Sequence, residues 1–328
     1  MQNLEQTLEK HFTPDEPIIV GCSTGPDSMY LVYQILQTKF AKNLVVGYFN
    51  HKLRIEADDE EKFIENLGKK LNFPVEVWSA DIKRIRDSLY PSMGIEEVAR
   101  SKRYAFFNAL CNIYNTNKIV LAHHLDDKIE TFFFNLARGS KLTWLINMTE
   151  SSWGIIRPLL NFKKSEILEY LEKNNLEYRI DQSNFDTTLS RNFLRHEIIP
   201  KFENINSKYK ENISNMMEYL EEVKKHLDTE VEDFLYEQGI QIFNSAKYRI
   251  NTLEIYGYFY IDAFQKLTPF LQKEVIRHCF YISNDKSTLW LTSANIDEII
   301  KFIGGKNNKT IKEIKNLKMR KENEIIVF

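Results

Sequence analysis

The sequence predicts an α/β protein built on a doubly wound, mainly parallel sheet, and three observations carry that prediction. Short apolar runs rich in β-branched residues, Ile18-Ile19-Val20, Leu44-Val45-Val46, Pro74-Val75-Glu76-Val77-Trp78 and Lys118-Ile119-Val120-Leu121-Ala122, alternate with stretches of helical period and length. The first run passes through Ser23-Thr24-Gly25 directly into a helical pattern opened by Pro26, which suits a first helical turn. Polar and charged groups follow the ends of three runs, at 23–28, 50–54 and 123–130. A parallel sheet gathers such groups at one rim, beyond its carboxyl ends, where ligands bind.

Taken in order, residues 4–12 read as a lead-in helix broken by Pro14 and Pro17. The strand at Ile18 and its loop lead into a helix over about 27–40. A second strand covers 44–49 and a helix follows over 56–72. The opening acids of that helix, Glu56, Asp58, Asp59, Glu60 and Glu61, suit the positive end of its dipole. A strand spans 74–78, and after a loop a long helix runs from Gly94 to about Tyr114. The strand at 118–122 runs into His123-His124-Leu125-Asp126-Asp127-Lys128-Ile129-Glu130-Thr131. From Arg157-Pro158 the pattern changes: a helix over 163–174, then a mostly helical, strongly charged region over 190–235, and a closing strand at 324–328. Beyond about 205 nothing resembles the first sheet. The expected domains are 1–205, with the rim, and 206–328, a helical linker region with a small α+β domain.

A chain of 328 residues suits two domains, and 43% hydrophobic with 27% charged residues is the composition of a soluble globular protein. No apolar run reaches membrane-spanning length, and Met1–Gln6 is neither basic nor apolar, so neither a span nor a signal peptide is expected. Cys22, Cys111 and Cys279 form no C-x-x-C pair, which points to a reducing, cytoplasmic setting. The net charge of −2 neither demands nor excludes a nucleic-acid partner. Between 306 and 321 stand Lys306, Lys309, Lys312, Lys315, Lys318, Arg320 and Lys321 against the single acid Glu313. So little acid leaves them for a phosphate partner or a solvated face.

Three stretches carry candidate chemistry. In the first loop Gly25 is expected to supply a sharp turn, so that loop N–H groups and the helix N-terminus face one small volume suited to anions. Neither G-x-x-x-x-G-K-[ST] nor G-x-G-x-x-G is present, so no lysine comes with the loop. The plainer reading is a strand–helix turn capped by Ser23. Arg100 and Arg103, three apart on a helix, share a face and can grip a phosphate or carboxylate, or serve as surface charge. A helix over the third stretch would put His123 with Asp127 and Asp126 beside Glu130. Metal ligation, carboxylates for a cationic substrate, and a capped, solvated helix start all stay open there.

Together the stretches resemble the tRNA(Ile)-lysidine synthase family, a branch of the N-type ATP pyrophosphatases. The resemblance rests on Ser23-Thr24-Gly25-Pro26-Asp27-Ser28, Asn50-His51-x-Leu53-Arg54, Ala99-Arg100-x-x-Arg103-Tyr104 and His123-His124-Leu125-Asp126-Asp127-x-x-Glu130-Thr131. It continues through Arg138-Gly139, Arg157-Pro158-Leu159, Asp181-x-Ser183-Asn184 and Arg191-Asn192-x-x-Arg195 with Pro200. It covers roughly residues 15–200. It implies a PP-loop fold, Rossmann-like and HUP-type, using ATP and Mg²⁺ to join free L-lysine to C2 of the wobble cytidine of a tRNA(Ile) with a CAU anticodon. Adenylation of that C2 oxygen releases pyrophosphate, and the lysine amine then displaces AMP. On this resemblance Ser23, Thr24, Gly25, Pro26, Asp27, Ser28, Asn50, His51, Arg100 and His123 bind ATP, with Asp27 also the metal ligand. Asp27, Arg103 and Asp127 are catalytic, and Asp127, Glu130, Arg191, Asn192 and Arg195 meet lysine or tRNA. Residues 206–328 would bind tRNA; no membrane is involved, and a homodimer is left open. Thr24 stands where the family has glycine. The alternatives are a PP-loop tRNA thiolase, which needs placed cysteines, and an inactive RNA-binding relative.

Overall fold

The computed structural model describes residues 2–54, 56–146, 148–152, 154–180, 190–237, 248–250, 253–255, 257–283, 291–305 and 310–328. The chain divides into two compact units, 1–218 and 219–328.

In the first unit α1 (Gln2–His11), β1 (Ile18–Cys22) and α2 (Pro26–Ile35) are followed by β2 (Leu44–Asn50), α3 (Ala57–Leu71) and β3 (Val75–Ser79). Next come α4 (Ile82–Leu89), α5 (Ile95–Ile113), β4 (Ile119–Leu121), α6 (Leu125–Ala137) and α7 (Leu142–Leu145). The short strands β5 (Ser151–Ser152) and β6 (Ile155–Ile156), then α8 (Lys164–Lys173) and α9 (Ser190–Phe193), lead to α10 (Tyr209–Glu237), whose later turns belong to the second unit. The sheet order is β3-β2-β1-β4-β6-β5, parallel throughout except for the β5–β6 hairpin. The mainly parallel, doubly wound sheet read from the sequence is therefore the observed one. β1 lies at its centre, and the strand order reverses between β1 and β4. The carboxyl ends of β1, β2 and β4 bring Ser23, His51 and His123 to one edge, and Arg157 follows β6 there.

Both faces of the sheet are covered. Ile18, Val20, Val46 and Tyr48 pack with Met29, Ile64 and Ile167 on one side, and Ile19, Val45 and Phe49 pack with Phe106, Phe107 and Leu110 on the other. Successive side chains point to opposite faces, so a strand covered on both reads as an unbroken apolar run. Gly21 and Gly47 are register partners. A Cβ on Gly21 would stand 2.6 Å from Phe107 Cζ, and one on Gly47 2.8 Å from Leu110 Cδ1. The bare backbone of this pair is what lets α5 lie against the sheet.

The turn out of β1 differs from the sequence reading. Gly25 is extended, φ −66° and ψ 163°, and forms the N-cap of α2 without a side-chain cap, so Ser23 does not cap the helix. The left-handed residue is the fully buried Thr24, φ 61°. Thr24 Oγ1 donates to Ser23 O at 2.6 Å, and Thr24 O accepts the Arg179 N–H at 2.9 Å. The end of α2 also differs from expectation, since it stops at Ile35, five residues early, and α4 occupies a stretch expected to be loop. An Asp81 cap on the Arg84 N–H at 2.9 Å starts α4.

The second unit holds the hairpin β7 (Tyr248–Ile250) and β8 (Leu253–Ile255), then β9 (Tyr258–Tyr260), α11 (Ile261–Lys266), α12 (Pro269–Ser283) and α13 (Ser293–Gly304). β10 (Ile311–Ile314), β11 (Leu317–Glu322) and β12 (Ile325–Val327) close it in an antiparallel sheet ordered β10-β11-β12-β9. Phe259, Phe264, Phe280, Ile299, Met319 and Ile326 form its core. The basic run is not short of internal partners, contrary to expectation. Lys312 pairs with Glu298, and Arg320 with Glu322 at 2.6 Å. Lys321, 5% exposed, donates to Ile303 O at 2.9 Å and to Gly305 O, closing the carbonyl end of α13. These acceptors lie outside the run, so counting acids within it missed them. Lys306 and Lys309 lie outside the described residues; Lys315 sits at φ 55° in the β10–β11 turn and Lys318 is exposed.

Two substitutions probe this geometry. Gly47→Val overpacks the α5 contact and should destabilise the first unit by about 1–3 kcal/mol. Thr24→Gly removes strain of about 1–3 kcal/mol against an entropic cost of about 0.4–1 kcal/mol, so it should stabilise the unit by about 1 kcal/mol. Hydrogen exchange of the β1 and β2 amides reads both. Equal protection in Gly47→Val, or reduced protection in Thr24→Gly, contradicts the respective expectation.

Candidate active site

The loop after β1 is held by its own short side chains. Ser28 Oγ donates to Gly25 O at 3.0 Å and accepts the Ser23 N–H at 3.2 Å. Asp27, in the first turn of α2, faces the rim. Lys164 Nζ lies 2.5 and 2.6 Å from its two oxygens, and His124 Nε2 lies 3.5 Å away. Burial pushes the Asp27 carboxyl up, but His124 and Lys164 outweigh it and hold the group below the usual carboxylate range. The loop therefore does meet a lysine, supplied by α8. Sequence reasoning missed Lys164; the available signal was a cation at the first residue of a helix, where the dipole disfavours it.

The start of α6 supplies the other carboxylates. His124 is its N-cap: Asp127 Oδ2 accepts the His124 N–H at 3.0 Å, and His124 Nδ1 accepts the Asp127 N–H at 3.4 Å. His123 precedes the helix, so it does not share a helical face with Asp127 as expected. His124 Nε2 sits 3.4 Å from Asp127 and bridges it to Asp27. Burial opposes a charge on His124, but Asp27 and Asp127 prevail and raise its pKa. The capping N–H on Nδ1 favours the proton on Nε2, between the two carboxylates.

Glu130 is buried and held by both arms of Arg195, Nε–Oε1 2.6 Å and Nη2–Oε2 2.7 Å. Arg195 Nη2 also reaches Asp127 Oδ1 at 3.5 Å. Burial pushes the Glu130 carboxyl up despite that fork. Asp126 turns elsewhere, to Lys210 and to the Lys164 N–H at 2.9 Å. The pair facing one cation is thus Asp127 with Glu130, rather than Asp126 with Glu130. Arg191 donates to Thr131 Oγ1 at 2.9 Å and lies over the Phe134 ring, with Asn192 beside it on α9. Asp181, Ser183 and Asn184 lie outside the described residues.

The remaining site residues lie toward β2, α5 and β6. The Asn50 amide is engaged in shaping its own turn: it donates to Asp58 at 2.9 Å and Glu61 at 2.8 Å and accepts the Lys52 N–H at 2.9 Å. His51, packed on Phe49, has its pKa lowered to about 4 by burial and by Arg103 and Arg54. Burial likewise brings His123 to about 4 against the pull of Asp127, with Arg157 and Arg100 adding to the fall. Arg100 donates to Tyr104 Oη at 3.1 Å. Burial and Arg100 lower the Arg103 pKa. Arg157, which sequence reasoning placed in a motif but not in the site, belongs to this group. Among the described residues no three His, Cys, Asp or Glu side chains converge as a metal cage.

Comparison with known proteins identifies the family and the fold. A family model described as a PP-loop domain matches residues 1–202. A tRNA(Ile)-lysidine synthase from Petrotoga mobilis is 33% identical over 227 residues, covering 67% of this chain and 72% of that protein. One from Thermosipho africanus is 34% identical over 245 residues, 71% of this chain and 56% of that one. One from Caldanaerobacter subterraneus subsp. tengcongensis is 28% identical over 329 residues, 97% of this chain and 67% of that one. The chain spans about half the length of several of the curated relatives it matches. A solved U34-tRNA thiolase from Methanococcus maripaludis shares the fold, with a TM-score of 0.54 at 17% identity over 67% of this chain and 77% of that one. With the family model over most of its length and relatives above 30% identity, the chain belongs to the PP-loop proteins and, among them, to the tRNA(Ile)-lysidine synthase family.

Proposed function

We propose that this protein ligates free L-lysine to C2 of the wobble cytidine of a tRNA(Ile) with a CAU anticodon, at the expense of ATP. The observation that carries the reading is the carboxylate pair Asp127 and Glu130, already holding one cation, joined through His124 to Asp27 at the phosphate loop. A cationic amine and a polyphosphate would thus meet within one rim. In the first step the cytidine C2 oxygen attacks the α-phosphorus and pyrophosphate leaves. In the second the lysine ε-amine attacks C2, and AMP departs with that oxygen.

The chain's own residues suit these steps. The N–H groups of the Ser23–Ser28 loop and the α2 N-terminus receive the leaving pyrophosphate. Asp27 is ionised and partly exposed at the loop mouth, which fits Mg²⁺, an ion that needs one or two protein carboxylates when phosphates complete its shell. When bound, the ion supplies countercharge to the phosphates. His51, Arg100 and His123 line the nucleotide, and Arg103 stabilises charge developing on it. Asp127 and Glu130 orient the lysine amine, while Arg191, Asn192 and Arg195 approach the tRNA. Residues 1–205 carry the chemistry and 206–328 grip the tRNA body, with Lys315 and Lys318 among its available cations. The setting is the cytoplasm; no helix among the described residues is long and apolar enough to cross a membrane. Thiolation is disfavoured, because burial raises the pKa of Cys22, Cys111 and Cys279 away from the thiolate that sulfur chemistry needs.

Mass analysis of tRNA(Ile) incubated with ATP and each amino acid tests the reading. A lysine adduct that requires ATP is expected, and its absence refutes lysidine formation. Asp27→Asn should reduce pyrophosphate release at least 100-fold, about 2.7 kcal/mol in barrier, with the circular-dichroism melt retained. Wild-type release in that variant removes Asp27 from the site. Asp127→Asn and Glu130→Gln should each raise KM for lysine at least tenfold while KM for ATP moves less than threefold. Unchanged lysine saturation in both places the lysine site elsewhere.

A further inference from the structure

One stretch of chain holds the loop after β1 at two points. α8 begins with Lys164, whose Nζ lies 2.5 and 2.6 Å from the Asp27 oxygens. Beyond α8 the chain turns at Asn175, φ 50°, and the Leu176 N–H returns to Leu171 O at 2.9 Å. Residues 176–179 then pass over α2 and α3 as a strap without regular secondary structure, and the Arg179 N–H donates to Thr24 O at 2.9 Å. Thr24 and Asp27 belong to the same short loop and helix start, so residues 164–179 act on it as a clasp. Few contacts fasten the strap. Tyr33 Oη, on a side chain buried in α2, donates to Glu177 O at 2.9 Å. Burial, followed by the Glu177 carboxylate, pushes the Tyr33 hydroxyl up to about 12, so it stays a donor near neutral pH. The Arg179 guanidinium lies over the Phe63 ring, 4.4 Å from its centroid. Lys70 and Glu177 pair at 3.5 Å, both exposed, and so add little. Leu176 and Tyr178 rest on the core, but the flank toward α3 opens into a cleft of about 520 Å³ lined in part by Lys62, Asn66 and Arg179. A segment with an open flank depends on each anchor more than one packed along its length.

The strap ends on the strained residue of the loop. Thr24 is fully buried in the left-handed region, φ 61°, which disfavours a β-branched side chain. Such a conformation persists only where its surroundings over-determine it. The Thr24–Gly25 peptide is planar and trans, so holding Thr24 O on one side points the Gly25 N–H to the other. A swing of Thr24 to negative φ would take Thr24 O off the Arg179 N–H and re-aim the Gly25 N–H with it. We propose that Tyr33 and Arg179 are positioning residues, which act through the strap to fix the Thr24–Gly25 peptide and so aim one N–H donor of the loop. Glycine at position 24 would hold the same turn without strain and would need the strap less. The inference rests on the reading of the Ser23–Ser28 loop as the pyrophosphate site, and on neither lysine nor RNA.

The test is binding of inorganic pyrophosphate, with Mg²⁺, to the full-length protein, measured calorimetrically without lysine, RNA or turnover. Tyr33→Phe removes the hydroxyl that holds Glu177 O, and Arg179→Met removes the stack on Phe63 while keeping the backbone N–H. Each should weaken pyrophosphate about fivefold, the order of one net hydrogen bond. Adding Thr24→Gly should bring either variant to within about twofold of Thr24→Gly alone, because glycine keeps the turn unaided. A loss in either variant that Thr24→Gly repairs supports the assignment, since an effect on the fold at large would persist beside that change. Wild-type affinity in both variants, or an equal loss on the Thr24→Gly background, overturns the proposal. A wild type that binds no pyrophosphate overturns the reading of the loop and the clasp with it, whereas wild-type binding with unaffected variants overturns the clasp alone. If Tyr33→Phe does not fold, Arg179→Met, on an exposed side chain, decides by the same criteria.

Discussion

The site depends on how closely α5 approaches the centre of the sheet. Gly21 and Gly47 stand side by side on β1 and β2, and neither position has room for a Cβ. Phe106, Phe107 and Leu110 fill the space those side chains would need. The seat of these residues fixes the height and rotation of the helix. Arg103 lies one turn before Phe106, and Arg100 one turn before that, in the half of α5 that starts at the carboxyl edge of the sheet. The same contact that closes one core layer thus places two guanidinium groups at the rim. Close packing makes this a stiff arrangement, since interiors of native density transmit a displacement instead of absorbing it.

Charge is segregated along that rim. Asp27, Asp126, Asp127 and Glu130 form one half, and each holds a cation drawn from chain beyond the first four strands: Lys164, Lys210 or Arg195. Arg100, Arg103 and Arg157 form the other half, with His51 and His123, whose pKa values burial lowers to about 4, and among the described residues no acid is paired to either Arg103 or Arg157. A neutralised structural network would mix the signs. Keeping them apart gives the rim one acidic and one basic region. His124 sits where the acid half meets the phosphate loop, and its Nε2 ties Asp27 to Asp127.

Thr24 shows how a departure from a family pattern is accommodated. A β-branched residue in the left-handed region is strained, and its hydroxyl satisfies Ser23 O in partial return. The loop keeps its path because Thr24 O is tied to the Arg179 N–H and Ser28 pins both flanks. Gly25 is then free to cap α2 in an extended conformation, leaving its own N–H and those of the first turn toward the rim.

The sequence alone determined the alternation of strands and helices, the position of Pro26 at a helix start, and the convergence of three polar stretches at one edge. These depend on local period, on turn chemistry and on the handedness of parallel connections, all written within a few residues of each other. Its motifs also marked Asp27, Asp127, Glu130 and Arg195 as site residues. What it could not fix was who holds whom. Lys164 meets Asp27 across 137 residues and Arg195 meets Glu130 across 65, and no local rule pairs them. The two-residue strands of the β5–β6 hairpin are too short to show a period, so the burial of Arg157 beside them was hidden as well. Which glycine turns and which one packs was likewise decided by the tertiary structure: Gly21 is required by α5, a helix about 80 residues further on, while the turn itself fell to Thr24. Local patterns set the elements, and only the packed fold sets distances between groups remote in the chain, on which burial, charge pairing and the chemistry of the rim depend.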